Sequence, residues 1–150
     1  MTTIPRPDHS DRPLQVSCTH TVHAQPAAVY AAFTTRFDAW FAQAGTVAMV
    51  PEPGRPYFFY NRDDWGRHPH YGRFLELIEN ELIEMTWITG NGTPVGTEGA
   101  ETILRIELAA AGEGTEIRLT HSGFVNQNSC DGHEENWPLA LEILDEALRG

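Results

Sequence analysis

Apolar and polar residues alternate along much of this chain, and changes of period mark out its elements. In "LQVSCTHTVH" (14–23), Leu14, Val16, Cys18, His20 and Val22 share one face and the intervening residues share the other, which predicts a first strand. "PAAVYAAFTTRFDAWF" (26–41) shifts to helical spacing. Pro26 suits a first turn, and Val29, Tyr30, Phe33, Phe37, Trp40 and Phe41 recur three and four apart, giving one or two short helices with a break near Thr34–Thr35. Strand patterns return in "GRPYFFYN" (54–61), "YGRFLELIE" (71–79), "LIEMTWIT" (82–89), "AETILRIELA" (100–109) and "TEIRLTH" (115–121), with a shorter strand expected near 46–50. "ALEILDEAL" (140–148), extended back through Trp137, closes the chain as a helix with Trp137, Leu141, Leu144 and Leu148 in one stripe. Pro138 lacks an N–H, so that helix either starts near 134–135 or kinks at the proline. Strand, helices, a run of strands and a long helix define an α+β fold, its helices gathered on one face of an antiparallel sheet.

Alternation also says which side chains face the helix. Ile83, Met85 and Trp87 form one set, Leu104, Ile106 and Leu108 a second, and Ile117 and Leu119 a third; period two then turns His121 inward as well. Gly112-Glu113 suits a two-residue turn with glycine first. Centred there, the hairpin pairs Leu108 with Ile117, Ile106 with Leu119, Leu104 with His121 and Glu107 with Arg118. A shift of one residue on each strand would set like charges opposite each other, Arg105 on Arg118 and Glu107 on Glu116.

Composition narrows the partners. The chain has 150 residues, most simply one domain, with residues 1–13 as a mobile, proline-rich tail and 14–150 as the folded unit. Its ten arginines, without a lysine, face 21 acidic residues, a net charge of −11 that repels nucleic acid and anionic membranes. No apolar run nears the ~20 residues of a membrane span, and the N-terminus has no secretory pattern. Two cysteines imply no disulfide framework, so a cytoplasmic protein with reduced thiols is expected.

Several segments together, "FTTRFDAWF", "PGRPYFF", "YGRFLELIENELIEMTW", "GAETILRIEL" and "GTEIRLTHSGF" with a tryptophan-bearing helix after them, resemble the START-like (SRPBCC, Bet v I-type) superfamily. Within it they are similar to bacterial relatives of the domain that activates the heat-shock-protein-ninety ATPase. The resemblance covers roughly residues 14–149 and implies a helix-grip fold, a curved antiparallel sheet wrapped around a long C-terminal helix, with a cavity between them for an apolar small molecule. Superfamily members include lipid and hormone binders, polyketide cyclases, hydrolases and chaperone partners, so the fold does not name the function. Asn136-Trp137-Pro138 departs from the glycine that often precedes this tryptophan, and the co-chaperone's additional N-terminal domain has no counterpart, which argues against chaperone activation.

The expected pocket wall comprises Met85, Trp87, Leu104, Leu119, His121, Phe124, Trp137 and Leu141, with Tyr57, Phe59, Tyr71 and Trp40 further candidates whose facing the "YFFY" run leaves open. Against this stands simple core packing, in which the same side chains fill one another's space. His121 can be a hydrogen-bonded structural residue, with Ser122 a candidate partner, a ligand-orienting group or a general base. Cys130, Asp131, His133 and Glu134 lie close together but match no zinc signature, and Asp131 with Glu134 reads better as a capping box at helix entry. His68 and His70, in a loop with Trp65, form an equally incomplete metal set; the loop would be a lid or contact surface, or an ordinary connection. The expected partner is a small hydrophobic molecule, with no cofactor, metal or catalytic residue; a cyclase- or hydrolase-like enzyme, or a homodimer or protein-interaction module, are the alternatives.

Overall fold

A computed structural model describes residues 4–62, 67–89 and 96–149. Its strands β1 (Leu14–Val22), β2 (Ala48–Met49), β3 (Pro56–Tyr60), β4 (Pro69–Ile78), β5 (Leu82–Thr89), β6 (Thr102–Ala111) and β7 (Gly114–Phe124) form one antiparallel sheet in the order β1-β7-β6-β5-β4-β3-β2. Helix α1 (Pro26–Ala32) and a single 3-10 turn (Phe37–Ala39) separate β1 from β2, and helix α2 (Gln127–Arg149) follows β7. The β6–β7 register pairs Leu108 with Ile117, Ile106 with Leu119, Leu104 with His121 and Glu107 with Arg118. Gly112 makes that turn at φ +60°, a conformation that costs glycine little.

The concave face is graded from one end to the other. Ile83, Ile106, Leu108, Ile117 and Leu119 occupy one end, under α1 and the C-terminal half of α2, where Leu141 and Leu144 are fully buried. Met85, Leu104 and His121 form the middle row, and Trp87 with Thr102, then Thr89 with His70, lie toward the other end. At the aliphatic end the buried Asp145 carboxylate ties α2 to the chain after β1. It accepts the His23 backbone N–H at 2.8 Å, the His23 ring N–H at 3.1 Å and Arg149 at 2.7 Å. Burial alone would raise this carboxyl's pKa, but Arg149 and the two His23 donors hold it below the usual carboxylate range.

Three expectations change. Residues 4–13 lie across the convex face instead of trailing from it. Arg6 pairs with Glu84, Arg73 donates to the Pro5 carbonyl, and His9 and Arg12 reach the Glu101 carbonyl at 2.8 and 3.3 Å. The segment turns at Ser10–Asp11, where the Arg12 N–H donates to the His9 carbonyl at 2.9 Å, and Gly123, having no side chain, leaves room for the His9 ring. Second, α2 begins at Gln127, about two turns before the predicted start, with its N-terminal cap from Asn126 Oδ1 to the Ser129 N–H at 2.8 Å. Asp131 therefore stands inside the helix and is no cap. Pro138 is accommodated mid-helix on the exposed side, where water can satisfy the carbonyl its missing N–H would have bonded. Third, Tyr71 points outward and is 40% exposed, because β4 turns His70 and Phe74 to the core. Trp65 lies outside the described residues. No helix among them is long and apolar enough to cross a membrane.

Candidate functional site

His121 is fully buried, and both of its ring nitrogens are engaged. Trp137 Nε1–H donates to Nδ1 at 3.0 Å, so Nδ1 carries a lone pair and Nε2 the proton. Nε2–H donates to Thr102 Oγ1 at 2.7 Å, and the Thr102 hydroxyl passes its own proton donation to the Trp87 carbonyl. The chain of three bonds joins α2, β7, β6 and β5 around one neutral imidazole. Burial pushes the His121 pKa well below its ordinary value, and His133 and His9 push it the same way. Ser122, the partner expected from sequence, faces the other side of the strand; Thr102 and Trp137 take its place. With its lone pair spent on Trp137, this ring has no free base position.

Around the relay lies a continuous aromatic set. Trp87 stands 5.6 Å from Trp137 and 5.1 Å from His70, and Phe41 packs on His70, Trp87 and Trp137 at 5.3, 5.8 and 6.3 Å. Phe59 lies parallel to His70 at 5.1 Å. Phe124 and His133 both approach His121, at 4.5 and 4.7 Å. Of the residues expected from sequence, Trp87, His121, Phe124 and Trp137 come together here. Met85, Leu104, Leu119 and Leu141 are fully buried in the adjoining core, beside or beyond the relay.

Tyr57 serves the sheet. Its hydroxyl donates to the Thr86 carbonyl, reaching past Gly72, its cross-strand neighbour, where any side chain would strike Thr86. Burial pushes that phenol's pKa up. Trp40 is likewise held from within, its Nε1–H on the Ala32 carbonyl at 2.7 Å.

Sequence reasoning missed His70, His133, Thr102 and Phe41. Two of them carried a readable signal: His133 lies one helical turn before Trp137 on the same stripe, and His70 shares strand parity with Phe74. His133 Nδ1–H donates to the Ser129 carbonyl at 2.8 Å and His70 Nδ1–H to the His68 carbonyl at 3.2 Å, leaving each Nε2 a lone-pair acceptor. Burial lowers both pKa values, that of His70 to about 3, so both rings are neutral at pH 7. The suspected metal sets do not assemble. Asp131 and Glu134 stand exposed, while Cys130 turns to the Gln15 carbonyl and His133 to the core. No cluster of three metal-ligating side chains occurs among the described residues.

A curved antiparallel sheet gripping a long C-terminal helix, with a buried polar relay between the layers, defines a START-like helix-grip protein. The model of one family within that class, described as activator of Hsp90 ATPase homolog 1-like protein, matches residues 23–149, and the chain belongs to it. Protein CV1439 from Chromobacterium violaceum is 20% identical, with a TM-score of 0.75 over 92% of this chain and 99% of its own. The Aha1 dimer from Colwellia psychrerythraea is also 20% identical, with a TM-score of 0.69 over 90% of this chain and 96% of its own. CalU16 from Micromonospora echinospora is 17% identical, at a TM-score of 0.66 over 89% of this chain and 75% of its own. At such identities these likenesses establish the fold alone. None of the curated proteins matches the chain.

Proposed function

We propose that this protein binds a small, largely apolar, aromatic molecule at the aromatic end of its concave face and leaves it chemically unchanged. The observation that carries the reading is the asymmetry of side-chain type. One end of the face is interlocked aliphatic core, whereas Phe41, His70, Trp87 and Trp137 gather flat rings at the other, beside nitrogens that can still accept a hydrogen bond. The closed relay on His121 argues against the cyclase or hydrolase alternative, since general-base chemistry would first require breaking its bond from Trp137. Titration with the neutral dye N-phenyl-1-naphthylamine tests this. Saturable, stoichiometric binding with quenching of tryptophan emission is expected; no saturable binding at any accessible concentration would contradict it.

A second reading, a homodimer, rests on a separate observation. Ala48, Phe58, Tyr71 and Ile88 are cross-strand neighbours in one row over four strands on the convex face, and Tyr71 is well exposed. The relative from Colwellia psychrerythraea is itself a dimer. Sedimentation velocity should then show a dimer that Tyr71→Glu converts to monomer; a monomer at high micromolar concentration removes this reading.

A further inference from the structure

His70 and His133 both lie at the aromatic end of the concave face, near enough for His70 to feel the charge of His133. His70 sits opposite Thr89 across β4 and β5, and Thr89 and Thr97 exchange backbone N–H to hydroxyl bonds. The Ser129 hydroxyl then ties the Gly96 carbonyl to the first turn of α2, and Ser129 in turn holds His133. The rings of Phe41 and Trp87 pack on His70, Trp137 packs on both of those rings, and His121 links Trp137 to His133. Each imidazole is more than nine-tenths buried, at 8% and 6% exposure, yet among the described residues neither Nε2 receives a hydrogen bond. Nor is any partnerless side-chain nitrogen or oxygen there fully enclosed, so each Nε2 keeps some accessible surface. A buried ring fixed by one nitrogen, with its other nitrogen left open, is an acceptor in search of a donor.

We propose that this aromatic end selects for a hydrogen-bond donor. The occupant is a neutral aromatic molecule whose hydroxyl or N–H donates to Nε2 of His70 or His133 while its ring lies among Phe41, Trp87 and Trp137. A fatty acyl chain leaves both nitrogens unsatisfied, and a carboxylate brings lone pairs to lone pairs. Neutrality of both imidazoles at pH 7, enforced by burial, keeps them acceptors. This inference rests on the aromatic-ligand reading and adds the polar group by which the ligand is told apart.

Isothermal titration of the full chain with 2-naphthol, 2-methoxynaphthalene and 2-naphthoate tests both layers. The free hydroxyl should bind about tenfold tighter than its methyl ether, the effect of one or two neutral hydrogen bonds, and the carboxylate weakest of the three. His70→Phe and His133→Phe should each shrink the ratio of naphthol to methoxynaphthalene affinity measured on the same variant, and the double variant should bring that ratio to about one. The wild-type Nε2 nitrogen resonance, whose shift moves when its lone pair accepts a hydrogen bond, gives a second readout independent of how the variants fold. Equal affinity for naphthol and its ether, with no Nε2 shift, overturns donor selection while leaving the aromatic pocket standing. Failure of all three to bind overturns the pocket itself.

Discussion

The two ends of the concave face are built from the same strands but to different purposes. At one end Ile106, Ile117, Leu119, Leu141 and Leu144 are fully buried, and the Asp145 carboxylate locks helix to strand. At the other, the rings of His70, Trp87 and Trp137 carry nitrogens at their edges with Phe41 packed on them, and the histidines keep acceptors open. Branched aliphatics interdigitate and lose several kcal/mol when cut back, whereas flat rings bury area while leaving a polar edge to address. Stability is concentrated where nothing needs to enter.

The largest effect should come from the aliphatic end. Leu144→Ala should cost about 2–5 kcal/mol in urea unfolding while changing the affinity for a neutral aromatic dye by less than threefold. A comparable loss of affinity would mean that the two ends are not separable. His121→Phe comes next. It strands the Trp137 N–H and removes the donor to Thr102 Oγ1, a loss of about 1–3 kcal/mol, and should be no more than partly recovered at any pH.

Acid sharpens the same contrast. The folded pKa values of His70, His121 and His133 all lie below the ordinary imidazole value, so between those values the unfolded chain binds more protons than the native one. Stability is thus complete above about pH 6.5 and falls below it, by up to about 1.4 kcal/mol per pH unit for each histidine. Asp145, whose folded pKa is depressed, acts in a lower window. Its contribution is present above about pH 4 and is lost as pH falls further. Denaturation midpoints from pH 8 to 3 should show a fall starting near pH 6.5 that is shallower in His70→Phe, and a later one missing from Asp145→Asn. A midpoint flat from pH 8 to 5 would contradict the buried neutral imidazoles. The smallest expected change is Tyr71→Ser on the convex face, within about 0.5 kcal/mol for the monomer.

Much of this division could be read in the sequence, and the exceptions have physical causes. Strict alternation in β5, β6 and β7, together with charges that favour one register, fixed the inward set and the pairing of Leu104 with His121. The first two turns of α2 were hidden because their buried residues, Ser129, Cys130 and His133, look polar on paper. Tyr71 was misplaced for another reason: its parity partners Leu75 and Leu77 are apolar, but a register shift between Phe74 and Glu76 breaks the alternation, so they do not report which way Tyr71 faces. The convex path of residues 4–13 depends on partners 78 to 92 positions away, the Glu84 carboxylate and the Glu101 backbone carbonyl, which no local pattern encodes. His121's partners were invisible for the same reason, since Thr102 and Trp137 meet only once sheet and helix have closed.

Amide and indole chemical-shift perturbation of the isotope-labelled chain during titration with 2-naphthol tests the graded face most directly. Saturable shifts should concentrate at Phe41, His70, Trp87, His133 and Trp137 and leave Ile117, Leu119 and Leu144 unmoved. Shifts confined to the convex row of Phe58, Tyr71 and Ile88, or none that saturate, would contradict the account.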